Sequence, residues 1–522
     1  MNTHAVTGSG RWIPDQGDGT YRNPIIYADY SDPDVIRAGD DFFMTASSFA
    51  HTPGLPILHS RDLVSWSIVN HALPQLELPG YERVQHGKGV WAPSLRFHDG
   101  QFWIFYATPD EGIFMTKTDN PFGAWEPPHL VKAAKGWIDP CPFWDEDGQA
   151  YLVHAFAHSR SGLKHILSLC RMSPDGRSLL DEGRIIIDGT VKHPTLEGPK
   201  LYKRNGYYYI FAPAGGVPTG WQAVFRSTAI EGPYKDKIVL HQGDTAVNGP
   251  HQGGWVELAS GESWFIHFQD KGAHGRIVHL QPMEWQEDWP LMGRLAPGQD
   301  IGEPVELWSK PNIRAAGEIA VPQTADDFRG PSLGLQWQWQ ANPATGWYSL
   351  NPWGGLRLYA AALPEGCRTL YDAPQLLMQK FAAPVFSAAA QITPSFATSE
   401  ERAGLVVLGQ RAFYLALSMD QDGALRLTQY ESRSITENLT EAGDIKKAEI
   451  LTGADSLHLR FSLGEDCLCR FSFSQDGSQY TDFGEPFTIA EGRWVGAKVG
   501  LFAASFAPVQ SGGFADFDHF HI

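Results

Sequence analysis

Three acids stand out in the N-terminal half: Asp32 in SDPDVIR, Asp139 in IDPCPF and Glu197 in LEGPKLY. Carboxyl groups that face one another raise at least one pKa, because like charges resist joint ionisation. A protonated acid beside an ionised base is the pair that cleaves a glycosidic bond. In an inverting reaction the two groups stand about 6.5–9.5 Å apart, with the attacking water between them. A third acid near the proton donor keeps that donor's pKa high and fixes its orientation. Each acid also has a plainer reading. Asp-Pro pairs start turns, so Asp32 and Asp139 read as turn caps, and Glu197 reads as a buried or capping side chain. Asp34, in the same SDPD motif, competes with Asp32 and shares its strand face if the segment is extended.

Whether the acids meet depends on five repeated segments. They are DPDVIRAGDDFFMTAS from Asp32, WAPSLRFHDGQFWIFYAT from Trp91, DPCPFWDEDGQAYLVHA from Asp139, EGPKLYKRNGYYYIFAP from Glu197 and QGGWVELASGESWFIHF from Gln252. Each runs apolar strand, turn with glycine, aromatic strand, which is a hairpin pattern. The turn glycines Gly39, Gly100, Gly148, Gly206 and Gly261 recur at roughly 50 to 60 residues, the length of a four-stranded propeller blade. A five-bladed β-propeller over residues 1–305 is the expected fold of this half. Trp91, Asp139, Glu197 and Gln252 each lie nine residues before their glycine, and Asp32 lies seven before Gly39. Equal register on the innermost strands predicts a ring around the axis, with carboxylates at three of its five positions; a one-residue slip would spoil it.

The repeat lapses after Ile301, and residues 306–325 read as a connection between domains. From 326 to 522 the chain is again all-β. Strict alternation in LHLRFSL and CRFSFS predicts half-buried strands of a two-sheet β-sandwich. Cys467 and Cys469 form a C-x-C expected on one face of a strand, and no second Cys or His pair follows that would make a zinc site. Five cysteines in all are too few and too odd a number for a disulfide framework.

Composition excludes other classes. Of 522 residues, 41 are Lys or Arg and 59 Asp or Glu, a net charge of −18 with no basic stripe, which disfavours nucleic acid as a partner. No run of 18 apolar residues exists to cross a membrane as a helix. Eighteen tryptophans supply flat apolar faces that suit a sugar, or that fill β cores. The N-terminal MNTHAVTGSGRWIPDQGDG has no apolar signal core, from which a cytoplasmic location is expected.

Five motifs recur in order across residues 20–300: NPIIYADYSDPDVIR, SSFAHTPGLPILHSRDLVSW, GVWAPSLRFHDGQFWIFYAT, WIDPCPFWDEDGQAYLV and HPTLEGPKLYKRNGYYYIFAPAGG. This half resembles glycoside hydrolase family 43, inverting β-xylosidases and α-L-arabinofuranosidases built on a five-bladed propeller. The resemblance implies that Asp32 is the general base, Glu197 the general acid and Asp139 the modulator of that acid. It places Trp91 and Phe49 against the sugar, and Arg276 in GAHGRIVHL on sugar hydroxyls or offsetting the acids' charge. It implies a hydrated calcium ion near His251 in NGPHQGG, and no organic cofactor. The C-terminal half resembles the concanavalin-A-like (jelly-roll) sandwich of the same enzymes, with DDFRG and ADFDHF as its first and last strands and a second calcium near Asp327 and Asp518. In relatives this sandwich helps close the pocket; a tethered carbohydrate-binding module is the competing reading. The implied substrates are short xylo- or arabinoxylo-oligosaccharides, cut from the end to release a pentose. β-1,4-D-xylosidase ranks first and α-L-arabinofuranosidase second; a homo-oligomer stays open. A non-catalytic sugar-binding propeller and a glycoside phosphorylase are the rivals, the latter needing a basic phosphate pocket near the axis.

Overall fold

The computed structural model describes residues 11–313, 319–352, 354–434, 443–508 and 512–522. Of the connection expected at 306–325, residues 314–318 lie outside the described residues. Within them the chain is all-β, apart from one four-residue helix, His158–Ser161, and three short 3-10 turns.

Five antiparallel sheets span residues 34–73, 91–133, 137–188, 200–240 and 251–292. Each has four strands, and the fourth sheet is widened by Gly302–Glu303 and Arg294–Leu295. Their innermost strands are Asp34–Ala38, Trp91–His98, Trp137–Trp144, Lys200–Arg204 and His251–Glu257. Consecutive blades touch, and His251–Glu257 returns against Asp34–Ala38 to close a ring. The apolar clusters lie between blades rather than within one. Phe43 and Ile57 pack on Leu95 and Ile104, Phe105 and Met115 on Leu152 and Val153, and Phe211 and Val224 on Phe265 and Met283. A blade is apolar on both faces, so only a neighbour on each side buries it.

The innermost strands share a local irregularity. Positive φ falls on Asp32 (55°), Ala92 (21°), Asp139 (57°), Gly198 (58°) and Gln252 (31°). Strand pairing slips by one residue across this point in the second, third and fifth blades, which marks a β-bulge. Pro33, Pro93, Pro140 and Pro199 follow the first four of these residues. Proline has no N–H to lose where the ladder is already broken. The equal register expected from turn glycines therefore needs correction. Two residues close the turns after Ala38, His98 and Arg204, whereas five follow Trp144 and Glu257. Counting back from the glycine thus misaligns the blades. The equivalent positions are Asp32, Ala92, Asp139, Gly198 and Gln252, and Trp91 and Glu197 stand one residue earlier.

The C-terminal part is a sandwich of an eight-stranded and a seven-stranded sheet. Leu405, Leu415, Leu459, Phe461, Leu501 and Phe517 fill the space between them. Asp326 and Phe520 exchange backbone hydrogen bonds of 2.9 and 2.8 Å, tying the start of this domain to its last strand. Two expectations change. Leu307–Ser309 is not loose connection; it pairs with Thr20–Arg22 at the start of the chain. Cys467 does not share a strand face with Cys469, because it ends a 3-10 turn with φ 57°.

The sandwich packs its outer sheet face on the propeller. Thr52 and Trp339 exchange backbone hydrogen bonds of 3.1 and 2.6 Å across the interface. Asn342 Oδ1 accepts from Leu76 N–H at 2.9 Å, and its Nδ2 donates to Leu76 C=O at 2.7 Å. Asn342→Ala leaves the N–H of buried Leu76 unpartnered, while its C=O keeps the bond from Leu78 N–H at 2.8 Å, a destabilisation of about 1–3 kcal/mol. Urea unfolding should show it as a lower midpoint; an unchanged midpoint would mean that the amide pair holds nothing.

Candidate active site

The bulges aim the acids. A residue with φ near +55° cannot continue an extended strand, so Asp32 and Asp139 turn their side chains out of the sheet alternation. Asp34, two residues on, resumes the strand and does not share the face of Asp32. It is fully buried and accepts from Arg96 Nη1 at 2.7 Å, Leu95 N–H at 2.9 Å and Val35 N–H at 3.1 Å. Lys200 Nζ lies 3.5 Å from it. Asp34 is thereby committed to an ion network at the propeller axis.

Asp32 collects donors from three directions. Ser31 and Ser47 hydroxyls donate to Oδ2 at 2.8 and 2.6 Å, and Arg276 Nη1 reaches Oδ1 at 3.1 Å and Oδ2 at 3.3 Å. Ser47 Oγ also accepts from Ala92 N–H at 2.7 Å, so one hydroxyl links the first two blades. Arg276 lies over the Phe268 ring, 4.8 Å from its centroid. The charge-offsetting half of its expected role has a structural basis; its contact with sugar does not appear in a ligand-free chain. Neither serine stood out in the sequence, although both flank the acidic motifs.

Asp139 is the deepest acid, 2 % exposed. Its Oδ2 accepts from Gly198 N–H at 2.8 Å and Gln252 Nε2 at 3.3 Å. Burial, and then the charge of Glu197, push its carboxyl well above the usual range, and Asp32 adds to the rise. Gly198 N–H and the Lys200 ammonium oppose it. The three acids are thus close enough to feel one another.

Glu197 keeps a quarter of its side chain exposed and meets His251, whose Nε2 lies 2.9 Å from Oε1. His251 is fully buried, and its Nδ1 has no hydrogen-bond partner. That orphan atom faces Gly220, where an added Cβ would lie 3.2 Å from it. With Nε2 engaged by Glu197, the unpartnered Nδ1 is the ring atom of His251 left to meet a hydrated cation. Asp327, in turn, accepts from His521 Nε2 at 2.7 Å, and Asp518 is exposed beside Gly355. Among the described residues no group of three or more His, Cys, Asp or Glu side chains could hold a metal ion. No step below is routed through calcium.

Aromatic walls complete the funnel. Phe49, buried with φ 52°, lies 6.5 Å from Trp91, and the Arg160 guanidinium stands 5.3 Å from the Trp91 ring. The third wall comes from the other domain: Trp494 meets Trp91 edge-on at 6.4 Å. Trp494 escaped sequence reasoning, because EGRWVG lies outside the propeller repeat and nothing local marks it as a pocket residue.

A family model described as glycosyl hydrolases family 43 matches residues 21–290, and one described as the beta xylosidase C-terminal concanavalin A-like domain matches residues 325–522. This chain is a family 43 glycosyl hydrolase. A protein of Xylanibacter ruminicola with the provisional name beta-xylosidase is 40% identical over 93% of this chain and 86% of its own. A non-reducing end alpha-L-arabinofuranosidase of Bacteroides ovatus is 31% identical over 74% and 73%. The solved structure of a xylan beta-1,4-xylosidase from Bacillus halodurans superposes with a TM-score of 0.82, at 25% identity, over 96% of this chain and 99% of that one. The family 43 propeller and sandwich are thus both present here.

The raised Asp139 pKa has a sign that can be tested. The folded state binds the proton more tightly than the unfolded state does. Stability is therefore lost as pH rises from the ordinary carboxylate range through the raised one. Asp139→Asn removes that loss. We expect the variant to melt above wild type at pH 8, with a smaller advantage at pH 5, while turnover falls by about 10²–10⁴-fold. An equal difference in melting at both pH values would contradict the buried-charge account.

Proposed function

We propose that this chain is an exo-acting, inverting β-1,4-D-xylosidase that releases terminal pentose from short xylo- or arabinoxylo-oligosaccharides. One observation carries the reading: three carboxylates converge in a funnel whose aromatic wall is completed from a second domain. The converging acids supply acid–base hydrolysis, and the wall makes a dead end that admits a chain terminus. Relatives named for xylosidase and arabinofuranosidase activity support the substrate class.

Asp32 is the base. Its Oδ2 is filled by two hydroxyls, and Oδ1 carries only the long bond from Arg276, so Oδ1 is the oxygen that takes a proton from water. The water attacks the anomeric carbon on the face opposite the departing bond, which inverts the centre. Glu197 protonates the glycosidic oxygen. Its Oε1 is turned to His251, so the other oxygen delivers the proton and His251 sets the carboxyl plane. Asp139 positions the acid: its Oδ2 holds the backbone N–H of Gly198, the residue after Glu197, at 2.8 Å. The phosphorylase reading has less support. The cations bound at this site, Arg276 and Lys200, are already engaged with Asp32 and Asp34.

Glu197→Ala should slow hydrolysis of xylobiose far more than that of p-nitrophenyl β-D-xylopyranoside, whose leaving group needs little protonation; the gap should be about 10²–10⁴-fold. Equal losses on both would remove Glu197 from the acid role. Proton NMR of wild-type turnover should show α-xylose as the first product, and β-xylose would overturn inversion. Comparison with p-nitrophenyl α-L-arabinofuranoside ranks the two sugars. Faster release of arabinose would displace xylosidase as the principal activity.

A further inference from the structure

Between the two domains lies a small cavity whose largely apolar lining carries several polar side chains. It is bounded by Tyr30 and His71 of the propeller, by Thr324 of the connection, and by Gln338, Gln379 and Lys380 of the sandwich. Its volume is about 30 Å³. That is room for one or two water-sized particles.

The lining is rich in hydrogen-bond donors that lack a partner. His71 Nδ1, Thr324 Oγ1 and both polar atoms of Gln379 are buried without one. Such atoms in a folded protein mark a water or an ion. The Lys380 ammonium has only the Tyr30 ring beside it, 5.1 Å from the centroid, and no carboxylate within 4.0 Å among the described residues. No Asp or Glu lines the cavity.

A second lysine sharpens the imbalance. Lys498 stands directly opposite Lys380 on the neighbouring antiparallel strand. It is 2 % exposed, and its one hydrogen bond is a long one, 3.4 Å, to Gln338 Oε1. Like charges directly opposite in a sheet are destabilising, and buried charges are normally paired. The nearest acid in this region, Asp29, spends its two oxygens on the backbone N–H groups of Arg276 and Gly496 at 2.9 Å each. Asp29 still acts on both lysines as a counter-charge, one negative charge against two positive, and water adds none.

We propose that this interdomain cavity binds a monatomic anion of halide size, chloride being the natural occupant, held by Lys380 with Thr324, His71 and Gln379 as further donors. Size excludes larger oxyanions, and the absence of any lining carboxylate excludes a cation. The anion offsets Lys380, while Lys498 lines the neighbouring cavity beside Gln340 and Gly496. Burial pushes both below the ordinary lysine range, the charge of Lys380 lowers Lys498 further, Asp29 opposes the fall in both, and an anion beside Lys380 favours its charged form. Its place also matters for the site. Lys498 follows Trp494 by four residues, so an anion here steadies the segment that closes the funnel.

Crystals grown in sodium bromide in place of chloride should show an anomalous peak within hydrogen-bond reach of Lys380 Nζ. A peak-free cavity containing only water would overturn the proposal. In solution, replacing sodium gluconate by sodium chloride at equal ionic strength should raise the melting temperature of wild type by roughly 2–4 °C, the shift expected for stabilisation near 1 kcal/mol. Lys380→Met should abolish that chloride-specific rise. An equal rise in the variant would place the effect elsewhere and overturn the assignment. Neither readout depends on turnover, so the proposal stands or falls separately from the glycosidase reading.

Discussion

Carboxylates drawn together out of water repel one another, and the centre of this propeller is arranged around that fact. Each acid meets a different remedy. Asp32 is surrounded by two hydroxyls and a guanidinium. Asp139 takes a backbone N–H and an amide, and its burial favours the neutral form. Glu197 leans on a buried imidazole. Identical environments would have left three equivalent acids, and equivalent acids cannot divide a proton donor's work from a proton acceptor's. The difference in surroundings makes the division, and the blades supply the surroundings. Ser47 reaches Asp32 from within the first blade, whereas Arg276 comes from the fifth and arrives only when the ring is closed.

The positive-φ residue at the head of each inner strand is the local means to this end. A regular strand would alternate its side chains between neighbouring blades and send none towards the axis. A residue at positive φ breaks the alternation once, and the following proline accepts the lost ladder bond without an orphan N–H. Four of the five blades use this X-Pro step, and two of those four carry Asp before the proline. The fourth blade places glycine at the step, and its acid, Glu197, reaches in from one position earlier with a side chain longer by one methylene. A carboxyl offset along its strand thus still enters the same funnel.

Much of this was legible in the sequence. Turn glycines between apolar segments marked the five hairpins, and alternation in LHLRFSL marked the sandwich. The motifs around Asp32, Asp139 and Glu197 marked the acids. The ring register was legible only to within one residue. Turn length varies between two and five residues, and a glycine marks its turn without marking its length. Partners distant in sequence were not legible at all. His251 lies 54 residues from Glu197, and only the closed ring brings its Nε2 to that acid. Cys467 looked like a strand residue because C-x-C has the strand period, yet a 3-10 turn interrupts the alternation there.

The division of labour between domains follows from the same geometry. The propeller can orient its acids without help, because each is held by bonds within the ring. It does not by itself supply the Trp494 face of its mouth, since that side chain belongs to a loop of the sandwich. The position of that loop is set by contacts with the propeller a few residues on, where Gly496 N–H meets Asp29 and Ala497 N–H meets Ala273 C=O at 2.7 Å. Asp29 also accepts from the backbone N–H of Arg276, the residue that faces Asp32. One carboxylate therefore fixes both the segment that shapes the pocket and the strand that carries the arginine beside the base. Pocket shape and base geometry are coupled through Asp29. A change at this interface would reach the funnel by both routes.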